Sequence, residues 1–153
     1  MLLRSWWSHL CWHRGDNVRA LALSDDALSL SRSFGHPLTR AIALSYATIL
    51  RQFMLNAAEA EQLATQTVAL CTEHGFTYYR TWGQIVASWC RTSAPGESAA
   101  QIADCIKSLL AARARRALPY FYALLAEAHL RDGNHAAANA AIDAGIALVQ
   151  ASG

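Results

Sequence analysis

Histidine and cysteine side chains could do chemistry in this chain, and two pairs of them have helical spacing. His9 and His13 lie four positions apart, and Cys71 and His74 lie three apart, so each pair would share one helix face. Such a pair holds zinc only when a third and a fourth ligand lie nearby. Cys11 falls between the two histidines, but there its side chain would point to another face. We therefore predict no metal site.

Signatures of catalysis are absent from the sequence. It has no GxxxxGK[ST] phosphate loop, no GxSxG nucleophile elbow and no paired-carboxylate pattern. We therefore expect no enzymatic activity and no cofactor. The four cysteines are scattered and form no CxxC pair, so we interpret them as small buried apolar residues, with a disulfide or a metal ligand as the less favoured alternative. This usage indicates a reducing, cytoplasmic compartment.

Composition favours a folded helical protein that binds neither nucleic acid nor a membrane. The 153 residues are 54% hydrophobic and 16% charged, and they are rich in Ala and Leu. A net charge of +2 is too small for the clustered basic face of a nucleic-acid-binding protein. The apolar start of the chain is interrupted by Arg4, His9 and His13, so it is typical of neither a signal peptide nor a membrane span.

Turn signals and helix-stop signals alternate along the chain at a period of roughly 40 residues, as in helical-repeat proteins. Asp and Asn accept hydrogen bonds from the first free amides of a helix, and Gly suits the left-handed residue that follows one. The predicted turns are Gly15-Asp16, Leu55-Asn56, Pro95-Gly96 and Gly133-Asn134, and the predicted stops are Gly35, Gly75, Arg115-Arg116 and Gly153.

These signals predict eight helices in four antiparallel hairpins. The first helices cover about 2–14, 37–54, 77–92 and 117–132, and the second helices cover about 16–34, 57–74, 97–114 and 134–151. No segment has the pattern of a strand. The expected fold is therefore all-α: one domain over 1–153, built as a right-handed α-solenoid of about four helix hairpins.

Apolar stripes at helical spacing mark the core side of the second helices. The small residues on these stripes should lie where neighbouring helices approach closely, and they are Ala20, Ala27, Ala138 and Gly145. The same stripes include large apolar residues that we also expect in the core: Leu23, Leu30 and Phe34 in 16–34, Ile102, Ile106 and Leu109 in 97–114, and Ile142, Ile146 and Val149 in 134–151.

Two segments resemble the second half of a tetratricopeptide repeat (TPR). Segment 130–153, LRDGNHAAANAAIDAGIALVQASG, has a Gly and a polar cap followed by small and large apolar residues at that repeat's spacing, and 15–28 is similar. The chain departs from the pattern at Leu55 and Ser93, where Gly is usual, and in a period longer than the usual 34 residues or so.

Three further stretches, 27–47, 69–90 and 119–134, resemble long-helix repeats. Such repeats form the C-terminal tails of bacterial class III cyclase/AAA-ATPase fusion proteins and of large LuxR-type transcriptional regulators. The resemblance implies a TPR-like superhelix that serves as a regulatory module of a bacterial signalling protein, as a fragment or as a separate product. It does not carry over cyclase or ATPase activity, because the phosphate loop is absent.

In peptide-binding repeats of this kind, one face of each first helix lines a groove. Laid onto this chain, that face carries aromatic residues flanked by arginines, which suits an acidic or apolar peptide. The groove residues implied by the resemblance are Trp6, His9, His13, Tyr46, Gln52, Phe53, Arg80, Gln84, Arg91, Tyr120, Glu127 and Arg131. The alternative is that most of these aromatic residues pack against the neighbouring hairpin.

The first helix is unusually aromatic, because it carries Trp6, Trp7 and Trp12. A terminal repeat needs a polar outer face for solubility. We therefore expect these three residues to be covered by a second copy, giving a homodimer, or by an upstream part of a longer protein.

The sequence thus predicts a non-catalytic scaffold for protein–protein contacts, with a protein or peptide as its partner. The alternative is a small-molecule sensor that holds its ligand in an enclosed apolar pocket inside the superhelix, whereas a scaffold needs an open groove. A helix-turn-helix DNA-binding protein is not expected, because the second helices are acidic or neutral, as Asp25, Asp26, Glu59 and Glu61 indicate.

Overall fold

The computed structural model describes residues 1–91 and 94–151. Within them it contains eight α-helices and no strand, so the all-α prediction is confirmed. The helices are α1 (Leu2–His13), α2 (Asn17–Ser33), α3 (Pro37–Phe53), α4 (Ala57–Glu73), α5 (Thr77–Cys90), α6 (Glu97–Ala111), α7 (Leu118–Arg131) and α8 (His135–Gln150). The predicted bounds agree with these to within about three residues. The predicted stop at Gly153 and the unusual Ser93 lie outside the described residues.

One turn geometry recurs between α1 and α2, between α3 and α4, and between α7 and α8. In the first turn the Asp16 amide donates to the Cys11 carbonyl at 2.9 Å, and the Gly15 amide donates to the Trp12 carbonyl at 2.8 Å. This pair of bonds satisfies the last carbonyls of α1. The Asp16 carboxylate then accepts a bond from the Arg19 amide at 3.1 Å, which satisfies the start of α2.

The other two turns repeat this arrangement with asparagine. The side-chain oxygens of Asn56 and Asn134 each accept a bond from the amide three residues on, at 3.2 and 3.1 Å. The residue before Asn56 is Leu55, whose φ of +57° lies in the left-handed region where Gly15 has +83°. A residue with a Cβ is disfavoured there by about 1–2 kcal/mol. The bonded caps on either side therefore determine this turn even without the glycine.

One predicted helix-stop signal in the second half of the chain is displaced. Gly35 and Gly75 have positive φ after α2 and α4, as expected. After α6, however, the left-handed residue is Arg113, with φ of +55°, rather than the predicted Arg115-Arg116 pair. The helix ends earlier than predicted because the amide of Arg113 donates to the carbonyl of Leu110 at 2.9 Å, which closes its last turn.

The second helices pack through small residues at fixed distances from their caps. Four positions after the cap lies a buried alanine, and eleven positions after it lies a buried small residue. These residues are Ala20, Ala60 and Ala138 at the fourth position, and Ala27, Thr67 and Gly145 at the eleventh. A Cβ on Gly145 would lie only 3.2 Å from the Cβ of Tyr122, so α7 and α8 approach closely there. The predicted burial of Ala20, Ala27, Ala138 and Gly145 is confirmed.

Four larger residues predicted on these stripes lie at the surface instead. Phe34 is 65% exposed, because it follows the last turn of α2 and no neighbouring helix covers it. Ile142, Ile146 and Val149 of α8 are also exposed. Among the described helix contacts α8 packs on α7, which covers only one side of it.

Contacts divide the chain into two compact units, Met1–Val86 and the described residues from Ala87 onwards. In the first unit α1 packs on α2, α3 packs on α4, and both α1 and α2 contact α3. In the second unit α6 and α8 each pack on α7. The single domain over 1–153 and the right-handed solenoid of four hairpins stay predictions.

Arg51 joins three helices of the first unit. Its side chain is only 7% exposed, and its Nη2 lies 2.6 Å from Asp25 Oδ1 on α2. Its Nε lies 2.7 Å from Glu59 Oε2 in the first turn of α4, and its Nη1 lies 3.4 Å from Ser24 Oγ. Because a buried guanidinium without acceptors is costly, α2 and α4 must keep these carboxylates in place.

Removing both carboxylates tests the strength of this network. The double variant Asp25→Asn, Glu59→Gln should lose about 1–3 kcal/mol of unfolding free energy, because it weakens the acceptors of a buried donor. Urea denaturation followed by circular dichroism measures this loss. The control Asp26→Asn, Glu73→Gln removes two carboxylates whose partners, Arg4 and His74, are not buried, and it should cost less than about 1 kcal/mol. Equal losses in the two double variants would contradict the role given to Arg51.

Candidate functional site

Aromatic rings from α1, α3 and α5 form one continuous row in the first unit. Trp12 stacks on Phe53 with ring centroids 4.5 Å apart, and the His9 ring lies 5.3 Å from Phe53 and 5.1 Å from Tyr46. Tyr46 lies 5.9 Å from Trp82. Such stacked, tilted and edge-on arrangements are those that aromatic pairs prefer. We call this set the aromatic row, and its members are Trp12, His13, Phe53, His9, Tyr46, Trp82, Tyr78 and Tyr79.

Helical spacing explains why these rings meet. Tyr46 and Phe53 are seven positions apart on α3, and His9 and Trp12 are three apart on α1, so each pair shares one face of its helix. Trp82 is buried at the base of the row, whereas six of the other rings are half-buried and His13 is exposed. Rings held rigidly by their neighbours lose little side-chain entropy when something binds to them.

His9 lies within the aromatic row and is bonded to the backbone of α3. Its Nε2 lies 2.8 Å from the carbonyl oxygen of Tyr46, which can only accept, so Nε2 carries the donated hydrogen. Burial lowers the pKa of His9 below the usual value; the bond to Tyr46 partly opposes this shift, and the charge of His13 adds to it. His9 is therefore a neutral member of the row.

The predicted groove residues of the first unit lie in three environments. Four of them belong to the aromatic row: His9, His13, Tyr46 and Phe53. Gln52 is buried and lies in the core, because its position on α3 is turned away from that of Phe53. Arg80 is half-buried and Gln84 is exposed. Trp6 is exposed at the start of the chain.

Two predicted groove residues of the second unit, Glu127 and Arg131, contact Trp89, which the sequence did not single out. The indole nitrogen of Trp89 donates to Glu127 Oε2 at 2.6 Å, and Arg131 Nη1 donates to the Trp89 carbonyl at 2.6 Å. The Arg131 guanidinium also lies 5.7 Å from the Trp89 ring centroid. Burial raises the pKa of Tyr120 well above its usual value, and Glu127 and Cys90 add to the shift. Glu127 and Arg131 thus hold the end of α5.

Trp6 and Trp7 differ from Trp12 in their surroundings. The first two are 49% and 50% exposed, although the Arg19 guanidinium lies 5.3 Å from the Trp7 ring centroid. Trp12 instead packs into the aromatic row on Phe53. The exposed set, which we call the N-terminal apolar patch, comprises Leu2, Leu3, Trp6, Trp7 and Leu10.

Two apolar grooves lie at the surface, one in each unit. A groove of 480 Å³ lies beside the N-terminal apolar patch, between the start of α1, Phe34 and His36. A groove of 150 Å³ lies between α7 and α8, where Tyr122 and the exposed Ile142 and Ile146 form its walls. Both grooves are lined by residues of their own unit.

Metal-binding clusters and membrane spans were sought within residues 1–91 and 94–151. No three His, Cys, Asp or Glu side chains converge there, and none of the helices is long and apolar enough to cross a membrane. All four cysteines are free. Burial raises the pKa of the Cys71 and Cys105 thiols, which keeps both protonated.

Comparison with known proteins gives no match at the level of a family model, a curated protein or a solved structure.

The lowered pKa of His9 should make stability depend on pH. Between its folded pKa and 6.5, the usual value, unfolded His9 binds a proton that folded His9 does not. The contribution of His9 to the free energy of unfolding is therefore fully present above pH 6.5 and is lost as the pH falls through the folded pKa. Urea unfolding of His9→Gln should lack this part of the decrease, and the control His135→Gln, which changes an exposed histidine of the second unit, should keep it. Identical pH dependence in the wild-type protein and His9→Gln would contradict the assignment.

Proposed function

We propose that this chain is a non-catalytic scaffold that binds a segment of another protein along the aromatic row. The main support for this proposal is the aromatic row, because its half-exposed aromatic residues from three helices form one rigid surface. Large exposed aromatic areas mark interaction sites, and aromatic residues dominate the energy of protein interfaces. Because the row is aromatic and His9 is neutral, it suits apolar side chains of an extended peptide.

We propose further that the fold is a TPR-like right-handed solenoid. The turn that recurs three times, with its cap and its buried residues at fixed offsets, supports a repeat origin. By the resemblance stated above, the chain would act as a regulatory module of a bacterial signalling protein. Its four free cysteines suit the reducing conditions of the cytoplasm. The surface position of both apolar grooves supports a scaffold over a small-molecule sensor.

Peptides selected from a random display library test the aromatic row. Binding of a selected peptide, measured by fluorescence anisotropy, should weaken about thirtyfold or more in Tyr46→Ala, Tyr79→Ala, because a lost aromatic anchor costs ~2 kcal/mol or more. The control Tyr122→Ala removes a half-buried tyrosine of the second unit and should bind as the wild type does. Circular dichroism verifies that all variants are helical. Unchanged affinity in the double variant would refute binding along the row.

We also propose a homodimer in which two N-terminal apolar patches face each other. A two-fold contact between identical helices would cover both sets of exposed tryptophans at once. Light scattering of the wild-type protein at micromolar concentration should give twice the chain mass, and Trp6→Ser, Trp7→Ser should give the chain mass with helicity retained. The control Val18→Ser changes an exposed apolar residue outside the patch and should remain dimeric. A monomeric wild-type protein would refute the dimer.

A further inference from the structure

A polar pocket of 110 Å³ lies where α2, α3 and α4 meet in the first unit. Arg32 from α2, Arg40 from α3, and Gln62 and Gln66 from α4 line its walls, together with one leucine from each of the three helices. Gln62 and Gln66 are four positions apart, so their amides lie on the same face of α4. Three helices thus direct long donor side chains to one small volume.

The two arginines of this pocket have no partner among the described residues. Neither Arg32 nor Arg40 forms an ion pair or a side-chain hydrogen bond there. The acidic residues of α2 and of the first turn of α4 are already paired with Arg51 or with Arg4. None of the residues that line the pocket is acidic. Among the described residues, neither arginine of the pocket is therefore paired with a carboxylate.

The donors of the pocket match an oxyanion. A guanidinium presents a planar fork of N–H groups that suits carboxylate and phosphate, and a carboxamide adds two more donors. Arg32 and Arg40 are both exposed, so an anion reaches their guanidinium groups directly from solvent. A volume of 110 Å³ accommodates one such group and not a large ligand.

We propose that this pocket binds an oxyanion, a carboxylate or a phosphate, carried either by a small acid or by an acidic side chain of the partner. The site is separate from the aromatic row. Arg40 and Leu44 lie on the face of α3 roughly opposite Tyr46 and Phe53, since helical residues advance by about 100° per position. Anion binding in the pocket can therefore be tested separately from peptide binding along the aromatic row.

Nuclear magnetic resonance titration of the amide spectrum tests the site with three probes at constant ionic strength. The probes are inorganic phosphate, butyrate and an acetylated hexaglutamate peptide. We expect shifts concentrated in residues 28–32, 40–44 and 62–66. Tighter binding of the peptide than of both small anions assigns the oxyanion to a partner's side chain, and tighter binding of a small anion assigns it to a free acid; both results support the pocket.

Two double variants, one inside and one outside the pocket, compare the effect of removing arginine charges on anion binding. Arg32→Gln, Arg40→Gln should weaken binding of the tightest probe at least about tenfold, because it removes both guanidinium forks. The control Arg115→Gln, Arg116→Gln removes two exposed charges from the second unit and should leave the affinity unchanged. Circular dichroism verifies that both double variants keep the wild-type helicity. Absence of localised shifts with all three probes, or equal affinity in the two double variants, would overturn the proposal.

Discussion

The buried guanidinium of Arg51 joins three helices of the first unit through its contacts with Asp25 and Glu59. It lies on α3 and binds carboxylates of α2 and α4, so a shift of either helix would leave part of a desolvated charge without an acceptor. The aromatic row uses the other side of α3, and the polar pocket uses all three helices. The two ion pairs of Arg51 thus link the three helices that line the polar pocket, and one of these, α3, also carries part of the aromatic row.

Close packing around this contact relies on small and self-satisfied polar side chains. The hydroxyls of Ser45, Thr48 and Thr67 each donate to the carbonyl four residues earlier in their own helix, at 2.7 to 2.8 Å. Because these hydroxyls need no partner from another helix, such residues can occupy the core as alanine does. The helix pairs therefore approach closely without leaving these three hydroxyls unsatisfied.

Local signals in the sequence predicted the helices and most of their turns well, because caps, stops and small-residue stripes act within one or two helical turns. Interactions between helices were not predictable in the same way. The pairing of Arg51 with Asp25 and Glu59 depends on how α2 and α4 pack, and the separation of Trp12 from Trp6 depends on where Phe53 lies. Gln52 was assigned to the wrong environment, since a shift of one position on a helix rotates a side chain by about 100°.

Leu55 shows that the recurring turn can form without a glycine. The residue keeps the left-handed backbone of the glycines at equivalent turns, while its side chain extends into solvent. At such a site the sequence can drift away from glycine as long as the flanking caps and packed helices offset the strain. A search for related chains should therefore look for the hydrogen-bond pattern of the turn, with its Asp or Asn cap and the alanine four positions later, because these features are present at Leu55-Asn56 although that turn has no glycine.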